Sequence, residues 1–345
     1  MVRLSDIAKA AGVSAMTVSR VLRDARDISA ATKARVRAIA QQMGYVPDVV
    51  AQGLRTRVSK LFGLLIPAMD DPVFARVACA VGERTREQGY DLLVAQTLGK
   101  PEHEEAALRR FLARRVDGVF VAPLYRVASA VPVYQELQRR ATKVVILGPK
   151  AVFCEPFASV EPDNALGAFR ATRHLLDLGH RRIAYLAGSP ASPVAQQRFE
   201  GYKRALREAR LELDNHLVFS AGSSMEDGTK AALQMLNESA RATAVQAVND
   251  LVAMGAGETL LNQGVRIPQD LSLVGHGNIS MSPYFRVPLT TVRQPKAALG
   301  ATAVEVMLRL LEGNPPETRR LPADLVVRAS TAPPCGPESP PAPVL

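Results

Sequence analysis

The first 46 residues carry apolar side chains at the three- and four-residue spacing that is typical of amphipathic helices. The inward positions, in three successive segments, are Ile7, Ala8, Ala11, Val18, Val21, Leu22, Val36, Ile39, Ala40 and Met43. Gly12 and Gly44 can adopt the left-handed conformation that ends a helix. Ser14 and Ser29 are good N-caps for the second and third segments. The pattern predicts three short helices, the first two joined by the tight, glycine-containing turn of a helix-turn-helix.

From position 61 onwards, short apolar runs alternate with amphipathic segments. The predicted strands are Leu61–Pro67, Tyr90–Gln96, Val116–Ala122, Lys143–Gly148, Ala158–Glu161, Arg182–Gly188, Leu217–Ala221, Ala244–Val248, Leu271–Gly275, Leu289–Val292 and Ala323–Ala329. The helical segments that lie between the early strands include Phe74–Gln88, Glu102–Arg115, Ala165–Leu178 and Arg198–Glu208. Such alternation predicts parallel sheets with helices on both faces. Because roughly ten strands are too many for one sheet of this kind, we expect two similar lobes, with a crossover near Asp163–Asn164.

Proline and glycine mark the segments between and beyond these regions. Pro47 cannot extend the third helix, and the next eight residues could form only a two-turn helix, which Gly53 weakens. The last 14 residues contain six prolines and no leucine heptads, which predicts a disordered tail and a dimer. The predicted regions are a helical domain at 1–46, a hinge helix and linker at 47–60, a two-lobed body at 61–331 and a tail at 332–345.

Composition excludes several classes of protein. With 345 residues, 47% of them hydrophobic, the chain is long enough for two or three domains. No apolar run reaches the roughly 18 residues that a membrane helix needs, and the N-terminus lacks a secretory profile. The three cysteines and five histidines show no metal-ligand spacing, and neither a Gly-x-Ser-x-Gly motif nor a phosphate-binding glycine loop is present. We therefore expect a cytoplasmic protein that is not an enzyme and uses no cofactor or metal.

Positive charge is concentrated at the start of the chain. The first sixty residues contain eleven Lys or Arg and four Asp, which is a net charge of +7 out of +10 for the whole chain. Clustered cations release counterions when they neutralise phosphates, so this charge favours a nucleic-acid partner. From charge alone, a solvated basic face is an equal alternative.

The predicted second helix carries a face suited to reading DNA. The outward residues, together with the cap, are Ser14, Ala15, Met16, Thr17, Ser19 and Arg20. In a major groove Arg20 could make two hydrogen bonds to guanine, while Ala15 and Met16 could touch a thymine methyl group. The serine and threonine hydroxyls suit phosphate oxygens. The alternatives are a surface Arg20–Asp24 ion pair and a core position for Met16.

The runs Leu4–Leu22 (LSDIAKAAGVSAMTVSRVL) and Gly44–Pro47 (GYVP) closely resemble the lactose-repressor/galactose-repressor family of bacterial transcription regulators. The resemblance extends to about Thr331. It implies an N-terminal three-helix helix-turn-helix DNA-binding domain plus hinge helix, followed by an α/β two-lobed periplasmic-binding-protein-like (type I) effector domain. It also implies a homodimer that binds a palindromic double-stranded DNA operator at the nucleoid and responds to a small-molecule effector.

For the hinge, the resemblance implies that two helices, one per subunit, pack together in the minor groove. Val50 would lie at the contact between the helices, and Leu54 would wedge between base pairs and kink the duplex. Gln52 and Arg55 would contact the minor groove or phosphates. The alternative is an ordinary linker with Leu54 packed against the body.

Polar side chains near the predicted strand ends are candidates for an effector site between the lobes. These candidates are Asp70, Phe74, Tyr125, Asp163, Arg198, Asn249, Asp250, His276 and Gln294. Charged and amide groups can bond adjacent sugar hydroxyls, above an aromatic face. Other roles stay open, since Asp250 could cap a helix and Phe74 could belong to a core. Arg198 could instead pair with Asp163 or Asp250.

Two positions depart from the family pattern. Many relatives carry an aromatic residue followed by Asp where this chain has His276-Gly277, and several place a stacking aromatic where it has Ser223-Ser224. The missing carboxylate and the missing aromatic ring together argue against a neutral hexose or a purine. His276 beside Arg198 suits an anionic ligand, such as a sugar acid or a phosphorylated sugar. A structural histidine bonded to the backbone is an equal alternative.

These features favour a repressor of carbohydrate-metabolism genes that a sugar-like effector controls. One alternative is a catabolite-type global regulator whose effector is a phosphorylated partner protein docked on the N-terminal lobe. An α/β enzyme is a more distant alternative.

Overall fold

The computed structural model of the protein describes residues 2–46, 58–238 and 240–335. The chain divides into two compact units, Met1–Ser59 and Lys60–Leu345, which we call the head and the body. Of the expected hinge and linker at 47–60, residues 47–57 lie outside the described residues, and so do residues 336–345 of the expected tail at 332–345. In the part of the chain that is described, no helix is both long and apolar enough to cross a membrane.

The described part of the head contains three helices: α1 (Leu4–Ala11), α2 (Ala15–Leu22) and α3 (Ala30–Gln42). The first ends at Gly12, whose φ of 64° is left-handed. The Ser14 hydroxyl accepts a hydrogen bond from the Thr17 amide at 3.0 Å, and the Ser29 hydroxyl accepts one from the Thr32 amide at 3.3 Å. The side chains that fill the small core completely out of reach of solvent are Ile7, Val18, Val21 and Val36. The predicted helices and their serine caps are confirmed.

The first lobe of the body is a six-stranded parallel sheet between helices. Its strands in spatial order are β11 (Thr318–Leu321), β5 (Ala158–Pro162), β4 (Val144–Leu147), β3 (Gly118–Val121), β1 (Leu61–Ile66) and β2 (Asp91–Gln96). Its helices are α4 (Pro72–Glu87), α5 (Pro101–Ala113), α6 (Pro132–Arg139) and α11 (Lys296–Leu311). Along β1, Leu64 packs into the core under α4 and α11, whereas Leu65 packs into the core under α5 and α6. Both faces of the sheet are therefore covered, as the apolar runs predicted.

The second lobe repeats this architecture. Its strands in spatial order are β12 (Asp324–Val326), β10 (Thr290–Arg293), β9 (Ser272–Gly277), β8 (Ala244–Ala247), β6 (Ile183–Ala187) and β7 (Val218–Ser220). Its helices are α7 (Asn164–Asp177), α8 (Pro193–Glu208), α9 (Met225–Asn237) and α10 (Asp250–Asn262). Only β12 runs antiparallel to its neighbour among these described strands. Single-turn 3₁₀ helices lie at Asn215–Leu217 and Ser282–Tyr284 in this lobe and at Val152–Cys154 in the first lobe.

The chain crosses between the lobes three times, after β5, after β10 and after β11. The second crossing returns the chain to the first lobe, where α11 packs against α4. Arg170 of α7 fastens the third crossing, because one Nη donates at 2.7 Å both to the Ala323 carbonyl and to the Asp324 carboxylate. The sequence indicated the first crossing at Asp163–Asn164 and gave no sign of the other two.

The C-terminal segment stays bonded to the second lobe beyond the predicted boundary at Thr331. The Ala332 amide donates to the Ser272 hydroxyl at 3.0 Å, and its carbonyl lies 2.9 Å from the His180 Nε2. The Cys335 thiol donates to the Gln269 carbonyl at 2.8 Å. The ordered contacts of the body therefore continue to Cys335.

Candidate functional sites

In the head, the predicted reading face lies on the exposed side of α2. Met16 is 72% exposed, so it does not fill the core, and Ala15 beside it is exposed as well. The Ser14 hydroxyl is used as the N-cap and lies 2.9 Å from the Thr17 hydroxyl. The amino end of α2, with its free amides and positive dipole, lies next to this cap.

The arginine of this face pairs with an acid that the sequence reasoning did not single out. Arg20 forms an ion pair with Asp27, not with Asp24. Asp24 instead binds Lys33 and Arg37 of α3 at 3.1 and 2.6 Å, which lowers the pKa of its carboxyl. Ser19 is also engaged, since Arg23 donates to its carbonyl at 2.9 Å.

The remaining DNA-binding candidates belong to the hinge. Val50, Gln52, Leu54 and Arg55 lie outside the described residues, so their roles stay predictions. The first described residue of the body holds a fixed position, because the Lys60 amide donates to the Asp117 carboxylate at 2.9 Å.

The first-lobe candidates lie near the carboxyl edge of their sheet. Asp70 is exposed after β1, and Phe74 is partly buried against the first-lobe core, as its alternative role required. The Tyr125 hydroxyl donates to the Pro149 carbonyl at 2.7 Å. In the described part of the body, no hydrogen bond joins Asp70 or Tyr125 to the second-lobe candidates. The lobes do touch beside Phe74, where Val73 packs against the second-lobe core.

The second-lobe candidates centre on a buried arginine. Arg198 lies in the second turn of α8, whereas the sequence placed it at the start of a helix after a strand end. Its Nε donates to the Asn164 amide oxygen at 3.0 Å and one Nη to the Val248 carbonyl at 2.6 Å. Burial lowers the pKa of Arg198 to about 10. Neither expected partner, Asp163 or Asp250, forms an ion pair with it among the described residues, so its bonded acceptors are neutral.

Asp163 and Asn249 act as helix caps. Asp163 accepts a hydrogen bond from the Leu166 amide at 2.9 Å at the start of α7. Asn249 accepts one from the Val252 amide at 2.8 Å, and its amide nitrogen donates to the Ser223 carbonyl at 2.9 Å. The cap of α10 is therefore Asn249, and not Asp250 as the alternative supposed.

Asp250 is occupied within its own lobe. Its buried carboxylate accepts hydrogen bonds from the Ile279 amide at 3.0 Å, the Ser282 hydroxyl at 2.7 Å and the Thr291 hydroxyl at 2.5 Å. These contacts tie α10 to the chain that follows β9 and to β10. With three donors already bound, the carboxylate has little capacity left for an effector.

His276 lies inside β9 and not in the expected loop, and it is only 3% exposed. Burial, and then the charges of Arg198 and Lys296, lower the pKa of His276 well below its usual value. The imidazole is therefore neutral at pH 7, so it would meet an anionic ligand as a hydrogen-bonding group and not as a charge. Its buried Nε2 has no hydrogen-bond partner among the described residues, so the backbone-bonded alternative does not account for it.

A lysine that the sequence reasoning missed lies beside these residues. Lys296 begins α11 at the second crossing, and its Nζ donates to the Gly277 carbonyl at 2.6 Å and the Asn278 carbonyl at 2.9 Å. Burial lowers the pKa of Lys296, as do Arg76 and Arg293, while Asp250 raises it. Gln294, two residues earlier, is buried with 8% exposure. The position of Lys296 two residues after the candidate Gln294 was the feature of the sequence from which it could have been found.

A surface cavity of about 500 Å³ also lies on the second lobe. Its lining, at the end of α8 and in the segment up to Leu213, includes the basic Lys203, Arg207 and Arg210 and none of the predicted effector candidates. In the described part of the chain, no group of three or more His, Cys, Asp or Glu side chains could hold a metal ion.

Comparisons with known proteins agree with both units. The description "Bacterial regulatory proteins, lacI family" matches residues 3–48, and "Periplasmic binding protein-like domain" matches residues 172–331. The ribose operon repressor of Haemophilus influenzae is 35% identical over 321 residues, which cover 93% of this chain and 95% of that protein. The transcriptional repressor PurR of Photobacterium profundum is 32% identical over 338 residues, covering 96% and 98%.

Solved structures show the same relationship. The lac repressor dimer bound to operator and the anti-inducer ONPF is 29% identical, with a TM-score of 0.86 over 96% of this chain and 99% of that one. The fold expected from the sequence, a helix-turn-helix domain followed by a two-lobed α/β body, is confirmed. The chain belongs to the lacI family of bacterial regulatory proteins and is a ligand-regulated, DNA-binding transcriptional repressor, not an enzyme.

Proposed function

We propose that the protein represses carbohydrate-metabolism genes as a cytoplasmic homodimer that binds a palindromic operator and is controlled by an anionic sugar-like effector. The helix-turn-helix domain, at residues 1–46, reads the operator, and the hinge at 47–60 responds to the body. The relatives differ in what their names specify, a ribose operon in one and PurR in another, so the effector class has to be argued from the site of this chain.

The DNA contacts follow from the exposed face of α2. In the major groove Arg20 binds guanine, and Met16 and Ala15 contact a thymine methyl group. The amino end of α2, with Ser14, Thr17 and Ser19, contacts phosphates. In the minor groove the hinge adds Val50, Gln52, Leu54 and Arg55, in the roles that the family resemblance implies.

One observation carries the effector proposal: Arg198 is a buried cation whose bonded acceptors, Asn164 and Val248, are both neutral. The Asp250 carboxylate raises the pKa of Arg198 but forms no ion pair with it in the part of the body that is described. A buried charge without a paired counter-charge is costly, so a ligand that brings a negative group is favoured. The orphaned Nε2 of neutral His276 can donate to the same group, and the charge of Lys296 lies beside it.

The remaining candidate contacts are amides, aromatic rings and two carboxylates. Asn249 and Gln294 supply amide groups for hydroxyls, with Asp70, Phe74, Tyr125 and Asp163 from the facing edge of the first lobe and the first crossing. At the two departures from the family pattern, Gly277 and Ser223 supply neither a carboxylate nor an aromatic ring. The site therefore favours a sugar acid or a sugar phosphate over a neutral sugar.

Effector binding would act through the three crossings between the lobes. A change in lobe closure moves the body at Lys60, where the hinge attaches, and so shifts the stability of a marginal hinge helix. Two distinct sites joined by one bistable element satisfy the requirements of allostery, with a coupling of about 1–3 kcal/mol.

The test is a thermal-shift comparison of matched ligands on the full-length protein. Ribose, ribose 5-phosphate, glucose, gluconate and glucose 6-phosphate separate the contribution of the sugar from that of the charge. A ligand present at about 100 times its Kd adds ~2.7 kcal/mol, which raises Tm by several degrees. We expect a shift with at least one acid or phosphate and none with its neutral counterpart. A shift with the neutral sugars alone would contradict the anionic assignment.

A pair of variants ties the shift to the site. Arg198→Met should abolish the ligand-dependent shift, because the buried cation is gone. The control Arg173→Met removes an exposed arginine of the same lobe, paired with Asp177, and should leave the shift intact.

A further inference from the structure

The connector between α2 and α3, residues 23–29, is folded back onto α2. The Asp24 amide donates to the Val21 carbonyl and the Ala25 amide to the Arg20 carbonyl, both at 3.0 Å. Asp24 is tied to α3 by its two ion pairs, and Ser29 caps α3. Both ends of the connector are therefore anchored, and the residues between them have a defined position beside the reading face.

Asp27 lies in this connector and pairs with Arg20 through the Nη2 of the guanidinium. The two side chains are 43% and 52% exposed, so the pair contributes little to the stability of the fold. An arginine has five N–H donors in a rigid planar fork. While one of its groups is held by Asp27, the remaining donors can reach the O6 and N7 atoms of a guanine.

We propose that Asp27 is the positioning residue for Arg20: it holds the guanidinium in the orientation that reads guanine, and sequence discrimination depends on it. The inference rests on the proposed role of Arg20. A free arginine must lose its rotamer freedom when it binds a base, whereas a held one has lost that freedom already. The contact serves specificity more than affinity, because a carboxylate near a polyanion adds nothing to non-specific binding.

The experiment uses the full-length protein and a duplex that the wild type selects from a pool of two-fold-symmetric random sequences. In a second duplex, the guanine that Arg20 is proposed to bind in each half-site is replaced by 7-deazaguanine, which lacks the N7 acceptor. The Kd for this duplex divided by the Kd for the unmodified duplex measures guanine discrimination. For the wild type we expect a ratio of at least about fivefold. Asp27→Asn should bring the ratio close to one, while its affinity for an unrelated duplex stays equal or rises. Asp27→Glu, which keeps the carboxylate, should retain part of the discrimination.

Asp24→Asn is the matched control, since it removes the same charge from the same connector but its partners are Lys33 and Arg37. It should keep the wild-type ratio. Binding to the unrelated duplex shows that each variant head is folded. If Asp27→Asn keeps the wild-type ratio, or binds the selected duplex more tightly with full discrimination, the inference is overturned.

An Arg20→Ala variant separates this failure from that of the proposed function. If Arg20→Ala loses guanine discrimination and Asp27→Asn keeps it, the inference about Asp27 is overturned and the proposed role of Arg20 stands. Wild-type discrimination in Arg20→Ala overturns the assignment of Arg20 to the base, and the inference with it.

Discussion

The Asp250 carboxylate links α10 to the segment after β9 and to β10. From the first turn of α10 it binds the Ile279 amide, the Ser282 hydroxyl and the Thr291 hydroxyl. These donors hold the segment after β9, which borders the candidate effector site. Asp250, which the sequence analysis placed among the effector contacts, therefore stabilises the structure around the site.

Asp250→Asn should destabilise the body by about 2–3 kcal/mol, because one oxygen is replaced by an NH₂ group that faces buried donors. The measurement is urea unfolding followed by near-ultraviolet circular dichroism, since the chain has seven tyrosines and no tryptophan. Asp177→Asn is the control: its exposed pair with Arg173 should contribute less than about 1 kcal/mol. Equal effects of the two substitutions would disprove the supporting role.

His180 gives the body a predictable pH dependence. Its Nδ1 lies 2.9 Å from the Thr243 hydroxyl and its Nε2 2.9 Å from the Ala332 carbonyl, which holds the C-terminal segment. Burial lowers the pKa of His180 most strongly; the hydrogen bond to the Ala332 carbonyl acts in the opposite direction, and the nearby His174 lowers the pKa slightly further. The unfolded chain thus binds a proton at a higher pH than the folded chain. The stabilisation is complete above the unfolded pKa near 6.5 and is lost as the pH falls below it.

The unfolding free energy of the wild type should therefore fall between about pH 7.5 and about pH 5.5, by at most ~1.4 kcal/mol per pH unit for each such histidine. His180→Gln should be less stable at the higher pH and lose less on acidification; His174, whose pKa burial also lowers, still contributes. The exposed His216 of the same lobe provides the control, and His216→Gln should follow the wild-type curve. If the unfolding free energy of His180→Gln depends on pH in the same way as that of the wild type, His180 does not cause this pH dependence.

At the scale of elements, local signals predicted what local interactions determine. The caps at Ser14 and Ser29 and the buried strands were predictable because period and capping are read within a few positions. The edge strand β11 was not, since Arg319 and Arg320 interrupt any apolar pattern. The partners of Asp250, which lie 29 to 41 positions away in the sequence, follow from topology, and so do the neighbours of Arg198. The effector candidates were therefore predictable as a region of the chain, and their individual roles were not.

The packing of α7 on α8 positions the candidate site. Gly201 lies on α8, where an added Cβ would come within 2.1 Å of the Ala165 carbonyl oxygen and 2.9 Å of the Phe169 nitrogen, both in the backbone of α7. Only a glycine permits this approach, which brings Arg198 on α8 to the amide of Asn164 on α7. The site thus depends on a residue that touches no ligand.

Gly201→Ala should destabilise the body by about 2–4 kcal/mol and weaken effector binding, because the two helices must separate. Gly82→Ala, in the interior of α4, is the matched control: its Cβ would meet only the Leu92 side chain, at an ordinary 3.8 Å. That substitution should be neutral or stabilise the body by up to ~1 kcal/mol through helix propensity. Chemical denaturation of both variants, with an effector titration by calorimetry, tests the pair. An unaltered affinity in Gly201→Ala would show that the α7–α8 spacing does not set the site.

At the scale of the whole molecule, the head and the body are separate compact units, and residues 47–60 lie between the three helices and the first strand of the body. In the proposed mechanism, operator binding and effector binding influence each other through this segment and through the pairing of subunits. Coupling of this kind is reciprocal, so whatever strengthens the DNA-bound form must weaken an effector that releases DNA. In this mechanism Gly53, which lies in the segment, affects both the operator affinity and the response to the effector.

Gly53→Ala is the substitution that tests this role of Gly53. A glycine in a helix interior costs about 1 kcal/mol relative to alanine, so a hinge helix that forms on DNA would become more stable by roughly that amount in each subunit. Operator affinity should rise at least about fivefold, since 1.4 kcal/mol corresponds to a factor of ten. An effector whose coupling is about 1–3 kcal/mol should then leave more operator bound at saturation. Fluorescence anisotropy of a labelled operator, titrated with and without the effector found by thermal shift, measures both quantities. Because Gly53 lies outside the three helices of the head, binding to an unrelated duplex should change less than binding to the operator. Unchanged or weaker operator binding would show that the hinge does not fold as a helix on DNA.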